Sequence, residues 1–302
     1  MATDPVSGSL LVADGWGVAW AALRLHRFSL STGEEQVSVR TKNQAVSALR
    51  VDGNAVLMAL HNRVQRLLLP SLDIAAEWRE RIPRYAQTVL PLADDALVLA
   101  NWMSPTIGIL DSASGQVRLV RSCPQPVVIA DGSSCLVFGG CDGGWWRLDT
   151  TAAKLTDRHG CCPVSHAAGC GDSVWCSAGG ALRDPGGGPK AVTRESGSDV
   201  FELTSPSEKL GLAAPVDRLI ADQNRLWAIC GQGQWLQQID AAAHTLSAAI
   251  PAPTGSRWRH IEPRLGMAFA VLPQRTEKPS ALIQAYRIDE LSASQPSEPS
   301  PR

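Results

Sequence analysis

Two short motifs alternate seven times, without a miss, along these 302 residues. The first is an apolar run, an Asp/Gly punctuation and a second apolar run. Its copies are "SLLVADGWGVAWAAL", "AVSALRVDGNAVLMAL", "TVLPLADDALVLA", "PVVIADGSSCLVFGG", "SHAAGCGDSVWCSAGG", "DRLIADQNRLWAIC" and "HIEPRLGMAFAVLP". The second is a short strand, a polar turn and a further strand. It runs from "LHRFSLSTGEEQVSV", "VQRLLLPSLDIAAEW" and "TIGILDSASGQVRLV" through "WWRLDTTAAKLTDRH", "VFELTSPSEKLGLAA" and "WLQQIDAAAHTLSAA" to "IQAYRIDELSAS". Apolar runs of about five residues bounded by Asp, Gly, Asn and Pro read as strands, and long helical periodicity is nearly absent. Each pair of motifs is then two hairpins, four antiparallel strands in roughly 40 residues. One such sheet cannot bury both faces, whereas seven set radially bury each face against a neighbour.

In that pattern, residues 8–290 or so resemble the seven-bladed β-propeller superfamily, with the loose spacing of quinoprotein-like, YVTN-like and WD40-like repeats. The fold class expected is all-β, seven four-stranded antiparallel blades. The Gly-His and Trp-Asp dipeptides of WD40 blades are missing. The pairs Gly139–Gly140, Gly143–Gly144 and Gly179–Gly180 do not recur blade by blade as kelch repeats require. The resemblance is architectural, and propellers host many unrelated functions. A single domain, 1–290, is expected to hold blades at 8–43, 44–83, 84–123, 124–162, 163–215, 216–253 and 254–295. The Gly/Pro-rich segment 181–199 reads as a projecting loop and the Ser/Pro-rich tail 291–302 as disordered. With about eight residues before the first expected strand, "ELSAS" is expected to finish the last blade.

Composition excludes some functions. Net charge is −1 and pI about 6.6, so nothing draws the chain as a whole to nucleic acid. No apolar run approaches the roughly 18 residues of a membrane helix. "MATDPVSGSL" lacks the basic and apolar regions of a signal peptide, and eight cysteines without one suggest free thiols and a cytoplasmic location.

The propeller resemblance implies that loops from fourth to first strands and from second to third strands share one face, where ligands and partners meet. These loops carry Lys42, Arg79, Arg81, Arg84, Arg121, Arg158, Arg257, Arg259 and His260. Turns expected on the opposite face carry Asp14, Asp52, Asp94, Asp95, Asp131, Asp172 and Asp222, with Asp73, Asp111, Asp149 and Asp240. Aspartate is turn chemistry in any case, because it bonds its own backbone. Arginine is not, and its fork matches carboxylates and phosphates. Trp102 and Trp258 fall in or beside the same loops, and exposed Trp with Arg is typical of interface anchors. Trp20, Trp175 and Trp227, in second strands, read as packing between blades.

The stretch "DRHGCCPVSHAAGC" gathers soft ligands, but a propeller spreads it from a loop along an inner strand. Cys162 and Cys170 would then stand about 26 Å apart. A smaller group survives, because Cys123 and Cys162 precede proline at equivalent places in neighbouring blades. With His159 and Cys161 they are an alternative site for a divalent metal such as zinc. They are equally an alternative redox pair, with thiolates favoured by Arg121 and Arg158.

An enzyme would need acid–base groups on the inner strands, and His166, Asp217, His260 and Glu262 are the candidates. His260 and Glu262 share a strand face, as metal or acid–base pairs do. The sequence therefore yields a first expectation and an alternative. The first is a non-catalytic scaffold or interaction propeller, expected as a subunit of a larger assembly, with no cofactor. It would hold an acidic protein segment, or an anionic small ligand, on Arg81, Arg84, Trp102, Arg121, Arg158, Arg257, Trp258 and Arg259. The alternative is a metal-assisted lyase or hydrolase using the four inner-strand groups.

Overall fold

The computed structural model describes residues 1–14, 23–41, 44–92, 95–101, 103–123, 125–131, 134–140, 143–179, 196–222, 225–274 and 280–293. Trp20, Lys42, Asp94, Trp102, most of the loop 181–199 and the tail from 294 lie outside them. The fold is an all-β, seven-bladed β-propeller built from seven antiparallel sheets. Among the described residues, no helix is long and apolar enough to cross a membrane. By packing, the chain groups into two compact units, Met1–Gly169 with Ala178–Glu195, and Cys170–Ser177 with Ser196–Arg302.

The first unit opens with four sheets. They are β1–β4 (Ala2–Asp4, Ser9–Ala13, Arg24–Ser29, Glu35–Arg40), β5–β8 (Ala48–Asp52, Ala55–Ala59, Val64–Leu68, Ile74–Trp78), β9–β12 (Thr88–Pro91, Ala96–Ala100, Thr106–Asp111, Val117–Arg121) and β13–β16 (Pro126–Asp131, Ser134–Gly139, Trp145–Asp149, Lys154–His159). In each, strands pair in chain order, and the first strands β1, β5, β9 and β13 lie side by side in that order. The second strands show why the apolar runs are continuous. In β6, Val56 and Met58 enter the core with Leu11, Leu25 and Leu67, while Leu57 and Ala59 enter the core with Leu97, Leu99 and Trp78. In β10, Leu97 and Leu99 face that second core, and Val98 and Ala100 a third with Val128, Cys135 and Val137. Side chains alternate along a strand, so a sheet packed on both faces needs apolar residues at every position. Each fully buried aliphatic side chain contributes about 1.5–3 kcal/mol.

The fifth sheet has the order β17 (Val164–Cys170), β18 (Ser173–Gly179), β19 (Ser196–Glu202), β20 (Lys209–Gly211). In the second unit follow β21 (Val216–Asp222), β22 (Arg225–Cys230) and β23 (Trp235–Asp240), whose outer edge is shared by two short strands, β24 (Thr245–Leu246) and β25 (Ile250–Pro251). The seventh sheet is β26 (Arg257–Glu262), β27 (Met267–Gln274) and β28 (Ser280–Arg287), with a 3-10 turn at Pro263–Leu265. Trp227 and Ile229 of β22 pack on Trp258, Ile261, Ala268 and Ala270 of this last sheet.

Both ends of the repeat differ from the sequence expectation. Ser9–Ala13 is the second strand of its sheet, and the first is Ala2–Asp4, paired Ala2 to Leu11. The hairpin turn is "DPVSG": Asp4 accepts hydrogen bonds from the Val6 N–H at 3.1 Å and from the Ser7 hydroxyl, and Gly8 takes φ 60°. At the other end "ELSAS" is not a strand. Ile288–Ala293 forms helix α1, with Asp289 and Glu290 in its first turn and Ile288 and Leu291 packed on the core of Trp258 and Tyr286. Apolar residues three apart suit one face of a helix.

The aspartates between third and fourth strands are engaged in their own turns. Asp111 accepts from the Ala113 and Ser114 N–H groups, Asp149 from Ala152, and Asp240 from Ala242 and Ala243, all at 2.8–3.0 Å.

Candidate functional site

In the first unit, three loops of the two classes expected to bind partners converge. The loop between β8 and β9 carries Arg79, Arg81, Arg84 and Tyr85, all exposed. It is tied to the β6–β7 loop, where the Tyr85 N–H donates to the His61 carbonyl at 2.8 Å and the two rings meet edge to face at 4.2 Å. It is tied to the β10–β11 loop by Asn101, which is 4% exposed and donates from Nδ2 to the Arg84 carbonyl at 2.6 Å. The other end of that amide accepts from the Met103 N–H at 2.8 Å. Arg81 and Tyr85 hold φ of 54° and 51°, a region non-glycine residues seldom adopt and one that persists only where the surroundings enforce it. The result is a ridge on which Tyr85 is 42% and Met103 61% exposed beside two arginines. Arg79 is held by Glu77, which also takes Arg63 at 3.3 Å.

Arg121, at the end of β12, is exposed as well. Arg158 is exposed but lies over the Trp146 ring, 5.7 Å from its centroid, a cation–π contact. His159 stacks on Trp145 at 4.1 Å and 16°.

That stacking bears on the cysteine group. Cys123 is 8% exposed and donates from its thiol to the Phe138 carbonyl at 3.5 Å. Burial pushes the Cys161 thiol up to about 11, although the Gly144 N–H bonds to it and works the other way. Cys162 and Cys123 are near enough to raise it further. The three cysteines are thus brought together, and burial holds the Cys161 thiol in its protonated form at neutral pH. Among the described residues, no three His, Cys, Asp or Glu side chains stand where they could share a metal ion. The tight approach explains the composition of the loop. Gly143 has φ 68°, and a β-carbon on it would lie 2.3 Å from the Cys161 carbonyl oxygen.

In the second unit the same joint recurs, with Gly233 against Trp258. The Trp258 N–H donates to the Gly233 carbonyl at 2.7 Å. Trp258 corrects the sequence expectation. It is fully buried, its indole N–H donates to the Ile250 carbonyl at 3.3 Å, and Tyr286 packs edge-on at 5.5 Å. It is a core residue and cannot be a surface anchor. Its neighbour Arg259 sits at a bulge in β26, exposed, and Arg257 donates to the Gln232 carbonyl at 3.2 Å.

Asp217 is exposed at the start of β21. Burial raises its carboxyl above the usual range, against the Gly233 and Gln232 N–H groups, Arg259 and Arg257, which all lower it. The Gly233 bond measures 2.7 Å. His260 and Glu262 share a face of β26 as expected. Burial, helped by Arg218, depresses the His260 imidazole to about 3, so it is neutral at pH 7. The imidazole stacks on Phe269 at 5.8 Å. Burial raises Glu262, which accepts from the Arg264 N–H at 3.3 Å as the cap of the 3-10 turn. His166 belongs to the first unit, beside Ser165 at 3.3 Å. The sequence candidates therefore fall into separate groups: Arg81, Arg84, Arg121 and Arg158 in one unit, and Arg257 and Arg259 with Asp217 in the other. His61, Tyr85 and Met103 were missed. The adjacent Arg-Tyr of "PRYAQ", after a proline, was the signal for Tyr85, and nothing local marks His61 or Met103.

No protein family and no curated sequence matches the chain. Solved structures match its fold. The WD40 domain of Neurospora crassa Pan2 superposes with a TM-score of 0.65 at 11% identity, over 89% of this chain and 83% of that one. Kuenenia stuttgartiensis hydrazine synthase gives 0.63 at 10% identity over 94% of both chains. AztD from Citrobacter koseri gives 0.57 at 12% identity, over 94% of this chain and 92% of that one. At these identities the likeness is one of fold: the propeller is shared, and the functions are not carried with it.

Proposed function

We propose that the protein is a non-catalytic interaction propeller whose contact ridge is Arg81, Arg84 and Tyr85 with His61 and Met103, flanked by Arg121. The partner is a protein presenting an acidic segment with an apolar or aromatic residue. The observation that carries this reading is the convergence of three loops, locked by Asn101 and the His61–Tyr85 contact, on exposed side chains of types enriched at interfaces. Locking the backbone in advance lowers the ordering cost of binding. A WD40 domain among the fold neighbours is consistent with it. Free thiols at all seven described cysteines are consistent with a reducing, cytoplasmic compartment.

Affinity purification from the native host tests the proposal, comparing the wild-type chain with Arg81→Glu/Arg84→Glu. The expected result is a stoichiometric partner that elutes with rising salt and is lost from the double variant while the protein stays folded. A partner retained equally by the double variant contradicts it.

A further inference from the structure

A cavity of about 420 Å³ opens in the second unit. Arg225, Trp227, Gln238, Arg287, Ile288 and Asp289 line it, and the 3-10 turn closes one side. Its origin is visible in the comparison of two sheets. Trp175 and Trp227 are each the third residue of a second strand, β18 and β22. Trp175 is covered: His244, in the turn after β23, lies 5.1 Å from its ring and is pinned by Glu202 at 3.2 Å and Glu208 at 3.7 Å. Ser173 and Thr204 hold Glu202 in turn, at 2.6 and 2.9 Å. Over Trp227 the corresponding turn is absent, because the chain leaves β28 into α1 instead of turning into a fourth strand. Trp175 is thus covered by His244 and its carboxylates, whereas the cavity borders Trp227.

The lining of that space is specific. Trp227 is 3% exposed and its indole N–H has no hydrogen-bond partner among the described residues. Trp175 shares the orphaned N–H but is roofed by the imidazole. An unmet buried donor is costly, and an acceptor entering the cavity would satisfy it. Arg225 is laddered through its backbone to Asp222 and Asp240, and its side chain is exposed at the cavity. Arg287 reaches Asp289 at 3.8 Å and Glu290 at 4.0 Å, loose and exposed pairs that hold it weakly. Of the charged side chains that line the cavity, two are cations and one, Asp289, a carboxylate; with the Trp227 ring and Ile288 as apolar walls they favour an anion attached to an apolar body. Guanidinium forks favour a carboxylate. The volume suits a ligand of one or two rings.

We infer that the cavity between β22, β23 and α1 is a binding site for a small organic carboxylate, its carboxylate on Arg225 and Arg287 and its apolar body against Trp227 and Ile288. The site is independent of the interaction ridge.

Full-length protein labelled with ¹⁵N at tryptophan gives one indole signal for each of ten tryptophans, and Trp227→Phe assigns the one of interest. It is titrated with 2-naphthoate, with benzoate as the smaller probe and 2-naphthamide as the neutral isostere. The expected result is a saturable downfield shift of the Trp227 indole N–H with at least one carboxylate. Binding should be at least about fivefold tighter than for the amide, and Arg225→Gln, a surface change that leaves the core intact, should remove that preference. No saturable shift with either carboxylate, equal binding of carboxylate and amide, or a preference that survives Arg225→Gln overturns the inference.

Discussion

A β-carbon on Gly233 would lie 2.4 Å from the carbonyl oxygen of Trp258. The glycine also holds φ 81°, so two independent constraints fix its identity. Gly53 has φ 56° with nothing within 4 Å, and so carries only the first. Gly53→Ala should cost about 1 kcal/mol, the strain of a left-handed residue. Gly233→Ala should cost about 3 kcal/mol or more, because the loop must also move off β26. Urea midpoints of the two variants measure the difference.

Trp258 is a core residue, and its truncation should behave as one. Trp258→Ala should destabilise by about 3–5 kcal/mol through the cavity left among Trp227, Ile250 and Ile261. Partner binding per folded molecule should be unchanged. A variant of wild-type stability would show that the indole packs less tightly than the structure has it.

Alkaline pH should weaken the fold through buried thiols. Burial raises Cys135 and Cys230 to about 12 and Cys161 to about 11. An unfolded thiol titrates near 8.5, so above that pH the unfolded chain loses protons that the folded one retains. The sign follows: the stability these groups contribute is complete below about pH 8.5 and is lost as pH rises toward their folded values. Urea midpoints measured from pH 7 to 10 should fall, and Cys135→Ala/Cys230→Ala should flatten the decline.

His260 should be silent where ordinary histidines titrate. With its imidazole depressed to about 3, its ring signals should not move between pH 8 and 5 in an NMR titration. Stability from this group is complete above the ordinary value near 6.5 and is lost as pH falls toward 3. A midpoint near 6.5 would mean that the ring is more open to water than the packing on Phe269 allows.

The middle of the repeat was legible because its physics is local. Runs such as Ala55–Ala59 and Ala96–Ala100 are apolar at every position, and a strand buried on both faces admits nothing else. The ends were not legible in the same way. Ala2–Asp4 offers one apolar residue in three, and only the Asp4 turn betrays the hairpin. "ELSAS" has no long periodicity, and its helix forms because Ile288 and Leu291 have a core to cover. Trp258 was misplaced because a tryptophan between arginines at a strand edge looks like a surface group; the bulge at Arg259 and the buried Ile250 carbonyl are tertiary facts. The ridge was half visible, since arginines in loops can be counted, but the lock by Asn101 and His61 depends on three segments far apart in the chain. The cysteine group shows the converse: the Cys-Pro alignment placed the residues together, whereas protonation state follows from burial.

The central claim is that partners meet the Tyr85 ridge. Site-specific photo-crosslinking measures this directly, with a benzophenone amino acid at Tyr85 and, as the control, at exposed Thr32 in the turn between β3 and β4. The account predicts one crosslinked protein from Tyr85, diminished by salt and by Arg81→Glu/Arg84→Glu, and none from Thr32. Equal crosslinking from both positions, or a Tyr85 adduct indifferent to charge reversal, would contradict it.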